Sequence, residues 1–255
     1  MPTFPDLEGK VAVVTGATKG IGRATCELLA HNGCRIGVVA RSPGEVDAAA
    51  EVLRSAGAQT TVPIAVDAAD ANGVATARRR AEEALGPVDI VLPFAGGFDV
   101  FSSVWETSEQ EWDQVLRVNL TSTFLALREF LPGMIHRGRG SIVVMSSISA
   151  RSLDKLTTAS YAAAKSGVLM LMRHAAIEAG EHGIRINAIA PATVTSERID
   201  RMMDDAALAR TAALSPLGRL GTPDDCAGAA VFLASDAASW ITGITLDVAG
   251  GRVML

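Results

Sequence analysis

Short, continuously apolar runs alternate with longer stretches in which apolar residues return every three to four positions, and the alternation spans the chain. The runs Val11–Val14, Arg35–Ala40, Thr61–Val66, Asp89–Leu92, Ser141–Met145, Ile184–Ile189 and Ile244–Val248 predict strands. They are brief and rich in Val and Ile, and they lack the polar alternation of a half-exposed sheet, so they fit strands covered on both faces. Helical periodicity predicts helices over Ile21–Ala30, Gly44–Arg54, Ala71–Leu85, Glu109–Leu131, Ala159–Glu181 and Pro223–Leu233. Thr222 before Pro223-Asp224-Asp225 is a ready N-cap. Strand–helix alternation over this length predicts an α/β fold: one doubly wound, Rossmann-type parallel sheet of seven strands, helices on both faces, in a single domain over residues 1–255. Ligand is then expected at the carboxyl ends of the strands.

Composition narrows the class. Of 255 residues, 49% are hydrophobic and 20% charged, which suits a packed globular core. No apolar run approaches the ~18 residues of a membrane span, and Met1 to Lys10 resembles no signal peptide. Three cysteines (Cys26, Cys34, Cys226) have neither metal-ligand spacing nor an even count, which points to a reducing cytoplasm. The net charge of −5 and the absence of a basic stripe give no nucleic-acid surface; Arg78-Arg79-Arg80 reads as a solvated helix face. The four histidines are scattered, so no metal is expected.

The chemistry begins where the first strand ends, in Thr15-Gly16-Ala17-Thr18-Lys19-Gly20-Ile21-Gly22. Glycines between a strand and a helix let the backbone approach a pyrophosphate, and the helix N-terminus offers free N–H groups and a positive dipole end. Further on, Tyr161-Ala-Ala-Ala-Lys165 places the single tyrosine and a lysine on one helical face. A phenol near a cation can serve as proton donor and base at a carbonyl, because the cation favours phenolate and lowers a pKa that is otherwise ~10.

With this glycine spacing and this Tyr-x-x-x-Lys pair, the sequence resembles the short-chain dehydrogenase/reductase family, and within it 3-oxoacyl reductase-like members. The resemblance covers nearly the whole chain. It implies an oxidoreductase moving a hydride between a nicotinamide cofactor and a carbonyl or secondary alcohol. It assigns Asn119, Ser147, Tyr161 and Lys165 to catalysis, with Asn119 bending its helix and holding a water. Ser147 stands one residue further from Tyr161 than is usual in the family, which leaves Ser146 and Ser149 as rivals. For the cofactor it implies Gly16, Thr18, Lys19, Gly20, Ile21 and Gly22 at the phosphates. Arg41 and Ser42 fall at the second strand's end, and Asp67 and Ala68 at the adenine. Ala95 and Gly96 fall at the ribose, Pro191, Val194 and Thr195 at the nicotinamide, with Tyr161 and Lys165 reaching the cofactor too. No acid precedes Glu45 after the second strand, whereas Lys19 and Arg41 are cations, so NADP(H) is expected over NAD(H).

Two departures stand out. Pro93-Phe94 replaces the family's paired asparagines, and Ala192 replaces a glycine. Substrate contacts are expected from Gly97, Phe98, Ser149, Leu153, Ala192, Met202 and Met203, the last two in a substrate loop over 196–215. Their apolar character suggests an uncharged or partly apolar small molecule. A homotetramer is expected, since the tail Arg252-Val253-Met254-Leu255 is better buried than exposed. Two other functions are weaker: a non-catalytic dinucleotide sensor or scaffold should have lost Tyr161 or Lys165, and a nucleotide-sugar epimerase needs a C-terminal substrate domain for which no room remains.

Overall fold

A computed structural model describes residues 1–98, 101–152 and 157–254. Seven strands form one parallel sheet: β1 (Val11–Thr15), β2 (Arg35–Ala40), β3 (Thr60–Ala65), β4 (Ile90–Pro93), β5 (Gly140–Met145), β6 (Ile184–Pro191) and β7 (Thr245–Val248). Their spatial order is β3-β2-β1-β4-β5-β6-β7. The chain winds outward from β1 through β2 and β3, then restarts on the other side of β1 with β4. In register, Val13 lies between Gly37 of β2 and Val91 of β4. This reversal opens the crevice in which doubly wound sheets bind ligands. Pro63, which donates no ladder hydrogen bond, sits in the edge strand β3, where its loss costs least.

The strands are apolar throughout because each face is covered. Successive β1 residues point to opposite sides. Ala12 and Val14 join a core with α1 (Gly20–His31), α2 (Pro43–Ser55) and α9 (Pro223–Ala234) through Leu29, Leu53 and Val231. Val11 and Val13 join the opposite core with α3 (Ala71–Leu85), α5 (Ser122–Arg137) and α6 (Ala159–Gly180) through Ala81, Phe130 and Met172. Thr222 caps α9 as expected, in a full capping box: its hydroxyl accepts from Asp225 N (3.3 Å), and Asp225 Oδ2 accepts from Thr222 N (2.7 Å).

Most expected boundaries hold to within one or two residues, with two instructive departures. The helix expected over Glu109–Leu131 is α4 (Glu109–Leu116), then a π-helical turn over Arg117–Thr121, then α5, which runs through Pro132 to Arg137. Proline removes one ladder bond, but Phe130 and Met134 on either side of it are buried in the core and carry the helix past that loss. The expected substrate loop, 196–215, holds two short helices, α7 (Glu197–Met202) and α8 (Asp205–Ala213). Their N-caps are Ser196, which accepts from Ile199 N (3.3 Å), and Asp204, which accepts from Ala207 N (2.7 Å). Both cap residues stand in the sequence, but neither helix carries enough apolar periodicity to declare itself.

Candidate active site

The glycine loop closes tightly between β1 and α1. Gly16 has φ +66°, and a side chain there would reach within 3.0 Å of Ala95 N. A Cβ on Gly22 would lie 2.1 Å from Gly16 O, so the first turn of α1 packs directly onto the loop. Gly20, with φ +52°, faces open space. Lys19 is the N-cap of α1 and has no side-chain acceptor to cap it, which leaves the helix's first N–H groups without a side-chain partner at the crevice. This cradle fits a pyrophosphate. At its rim, Lys19 Nζ donates to Glu45 Oε1 (2.8 Å) and the Thr18 hydroxyl to Glu45 Oε2 (3.3 Å). Lys19 and, more weakly, Arg41 hold the Glu45 carboxyl below its ordinary pKa. The sequence placed Glu45 after the cofactor cations; the fold puts it against one of them.

After β4, Thr15 Oγ1 accepts from Ala95 N (3.0 Å), tying β4 to β1. Phe94, which stands where a polar amide was expected, is buried in the core beside β1 and α1. Gly96 and Gly97 meet Asn119, which is wholly buried in the π-helical turn. Asn119 Oδ1 accepts from Gly97 N (2.9 Å), and Nδ2 donates to Gly97 O (2.8 Å) and Val115 O (2.9 Å). A Cβ on Gly96 would lie 2.5 Å from Asn119 Oδ1 and 3.4 Å from Lys165 Nζ. A π-helical turn stands where a bend was expected at Asn119, and the side chain is committed to the backbone around it.

Thr158 caps α6 by accepting from Tyr161 N (3.3 Å), which sets Tyr161 in the first turn and Lys165 one turn later. Lys165 is 2% exposed, donates to Met145 O (2.9 Å) and lies 5.5 Å from the centre of the Tyr161 ring. Burial, reinforced by repulsion from Arg198, lowers its pKa to about 7. Burial also raises the Tyr161 pKa, opposed by Arg198 and by hydrogen bonding from Ser147. In the cofactor-free protein desolvation dominates at Tyr161, and the largest lowering influence is the charge of Arg198. The three serines separate. Ser146 donates to Lys165 O (3.1 Å) and is a strut of α6. Ser147 interacts with Tyr161 and bonds to Ser149, accepting from Ser149 N (3.2 Å).

Other expected residues fall into place with different weight. Asp67 Oδ1 accepts from Ala69 N (2.8 Å) in a turn at the end of β3, and Oδ2 pairs with Arg117 (3.7 Å). Pro191 ends β6; Ala192 N donates to Val248 O (3.2 Å) and Thr195 N to Gly221 O (2.9 Å), while Val194 bridges to Gly221. Phe98 packs on Tyr161, ring centres 4.7 Å apart. Met202 and Met203 are half-buried at the end of α7. Leu153 lies outside the described residues. The residue the sequence reading missed is Arg198 in α7. Its Nη1 donates to Phe98 O (2.9 Å), and its guanidinium lies 5.4 Å from the Phe98 ring centre. It adds a cation beside the mostly apolar residues expected at the substrate.

A doubly wound sheet with a glycine cradle at its switch point and a Ser–Tyr–Lys cluster beside it defines a nicotinamide-dinucleotide-dependent oxidoreductase. Residues 16–252 match the family described as "Enoyl-(Acyl carrier protein) reductase", and the chain belongs to the short-chain dehydrogenase/reductase family. It is 38% identical over 247 residues to "Galactitol 2-dehydrogenase (L-tagatose-forming)" of Cereibacter sphaeroides, covering 96% of this chain and 95% of that protein. It is 34% identical over 252 residues to "3-oxoacyl-[acyl-carrier-protein] reductase FabG" of Vibrio harveyi, covering 98% and 100%. A crystal structure of a 3-oxoacyl-[acyl-carrier protein] reductase with bound NAD from Brucella melitensis superposes with a TM-score of 0.90 at 33% identity, covering 99% of this chain and 94% of that one. Among the described residues, no helix is long and apolar enough to cross a membrane, and no cluster of ligating side chains could hold a metal.

Proposed function

We propose that the protein reduces a small carbonyl compound, or oxidises the matching secondary alcohol, using NADP(H), with Tyr161 as general acid and base. The observation that carries this reading is the buried Lys165 beside the Tyr161 ring, opposite Ser147. A lysine withdrawn from water is costly, and a dehydrogenase has a use for it. The bound dinucleotide supplies or accepts the hydride at the substrate carbon. In the reductive direction, the Tyr161 hydroxyl gives its proton to the substrate oxygen, and the Ser147 hydroxyl orients that oxygen. Lys165 has two N–H groups beyond the one given to Met145; these serve the cofactor ribose and favour the phenolate left behind. Asn119 acts by position, holding Gly96 and Gly97 against Lys165.

Gly16, Thr18, Lys19, Gly20, Ile21 and Gly22 would hold the cofactor's phosphates, Ala95 and Gly96 its ribose, and Asp67 and Ala68 its adenine. Pro191, Val194 and Thr195 border the nicotinamide. Arg41, Ser42 and Lys19 would hold a 2′-phosphate, and the two cations among them favour NADP(H) over NAD(H). Gly97, Phe98, Ser149, Ala192 and the end of α7 wall the substrate. The activities of the sugar-alcohol and oxoacyl relatives bracket the substrate as a ketone or secondary alcohol. The whole chain works as one domain in the cytoplasm; its three cysteines are free and buried.

The protein also associates as a homotetramer. Phe124 and Met170, on α5 and α6, are 44% and 58% exposed and border an apolar groove with Leu120 and Leu171. Such a face is better covered by a copy of itself. Sedimentation at micromolar protein should give a tetramer; a monomer would refute this.

The test of the activity is Tyr161→Phe, which keeps the ring and removes the proton. Turnover should fall by ~100- to 10,000-fold on any ketone or alcohol that the wild type accepts, with NADPH affinity retained. Retention of more than about a tenth of wild-type turnover, with chemistry rate-limiting, would overturn the mechanism.

A further inference from the structure

Arg198 stands beside Phe98, next to Tyr161, with no carboxylate partner among the described residues. It is half-buried in α7, and its guanidinium reaches Phe98 O and the Phe98 ring, which in turn packs on Tyr161. It gets there because Gly97 has no side chain: a Cβ at that position would lie 2.6 Å from Arg198 Nη1. Among the described residues, no carboxylate lies within ion-pair distance of Arg198 or of Lys165, whereas the half-buried Arg151 finds one in Asp247 (3.3 Å) and Arg78 finds two in Glu82 and Glu129. The charge that acts on both Tyr161 and Lys165 is Arg198. Among the described residues, the Arg198 guanidinium thus faces the cleft beside Tyr161 without a counter-ion. A guanidinium offers five N–H donors in a fork, and one of them is spent on Phe98 O. The rest of the fork matches a carboxylate, which accepts two parallel N–H bonds. The neighbouring residues of α7 face the other way electrostatically: Glu197 and Arg201 act on Lys19, at the phosphate end. The helix thus spans the crevice, with Arg198 on the substrate side.

We propose that Arg198 is an anion-recognition residue of the substrate pocket and that the substrate is a hydroxy acid or oxo acid, held by its carboxylate while its carbonyl or hydroxyl meets Tyr161. This rests on the reading of Tyr161 as the group at the reacting oxygen. The carboxylate supplies the missing counter-charge and fixes which face of the carbonyl is presented.

The test uses binding to the NADPH complex as well as turnover. Butanoate and benzoate are titrated against butanamide and benzamide, matched in shape and differing in charge, by calorimetry with the full-length protein. The wild type should bind each acid at least tenfold tighter than its amide, because a hydrogen bond between charged groups is worth roughly that factor or more. Arg198→Met should erase the difference, Arg198→Lys should keep part of it, and NADPH affinity should stay within twofold in both. Turnover of oxo acids against their methyl esters should follow the same order. Equal binding of acid and amide to the wild type, or no binding of either, overturns the proposal. So does a large loss of NADPH affinity in Arg198→Met, which would place the guanidinium on the cofactor. Tyr161→Phe should abolish turnover and leave the preference for acid over amide intact, so failure of the proton-transfer reading and failure of this one give different results.

Discussion

Asn119 and Gly97 make a reciprocal pair: the Asn119 carboxamide accepts from Gly97 N at 2.9 Å and donates to Gly97 O at 2.8 Å. A side chain thereby serves the turn after β4 as a neighbouring strand would serve it. The π-helical turn at Arg117–Thr121 bulges the helix at this contact. Asn119→Ala would remove the side-chain partners of the half-buried Gly97 N–H and C=O and of Val115 O. Each unmade bond of this kind costs ~1–3 kcal/mol, so urea denaturation should show a loss of about 2–4 kcal/mol. Asn119→Asp should be as damaging, since a carboxylate accepts from Gly97 N but faces Gly97 O and Val115 O with no donor. A loss below about 1 kcal/mol in both variants would mean that the pair is dispensable.

Gly22 and Gly44 should respond oppositely to alanine. At Gly22 the new Cβ meets Gly16 O at 2.1 Å, so the loop must move. Overpacking of this kind costs ~1–3 kcal/mol, and NADPH affinity should drop with the cradle's shape. At Gly44, in the first turn of α2, nothing lies within 4 Å of a Cβ and φ is not positive. Gly44→Ala should be neutral or raise stability by ~0.4–1 kcal/mol through the unfolded chain. Thermal melts of the two variants check this, and similar behaviour of both would contradict the packing argument.

Cofactor choice should turn on Arg41 and on Glu45. Arg41→Ala should weaken NADPH binding by about ten- to a hundredfold and NADH binding far less. Glu45 holds Lys19 at 2.8 Å and lies where a 2′-phosphate would compete for the same cation. Glu45→Gln frees Lys19 and should tighten NADPH binding severalfold while leaving NADH unchanged. Fluorescence titration with both cofactors decides; equal effects on the two would remove the phosphate from this site.

Lys165 should make stability rise with pH. Its pKa is lowered from 10.5 to about 7 in the folded, ligand-free protein. The unfolded chain therefore binds more protons than the folded one between about 7 and 10.5, and stability increases across that window; the penalty is fully present below 7. Lys165→Met removes the term. The stability of the wild type relative to this variant, from urea denaturation at pH 6.5, 8 and 9.5, should grow with pH. A difference that stays flat would show that Lys165 is not desolvated.

The thiols should be silent. Burial raises Cys34 and Cys226 to about 12 and Cys26 further still, so almost no thiolate exists near neutrality. A thiol-reactive disulfide reagent at pH 8 should label none in the native protein and three in guanidinium. Rapid labelling of the folded protein would contradict this burial.

The sequence by itself determined what depends on near neighbours. Strands β1 to β7 declare themselves as apolar runs because both faces of the sheet are covered. The glycine loop and Tyr161–Lys165 are legible because a turn and a helical repeat are local geometry. The cap at Thr222 is legible for the same reason. Tertiary structure decided what depends on residues distant in the chain. It separated Ser146, which bonds Lys165 O, from Ser147, which faces Tyr161. It carried α5 through Pro132 on the strength of Phe130 and Met134. It set Glu45 on Lys19 and brought Arg198 to Phe98, 100 residues away. No periodicity marks such contacts, because the free energy that orients a charged side chain comes from the groups it meets, and only the folded chain brings those groups together.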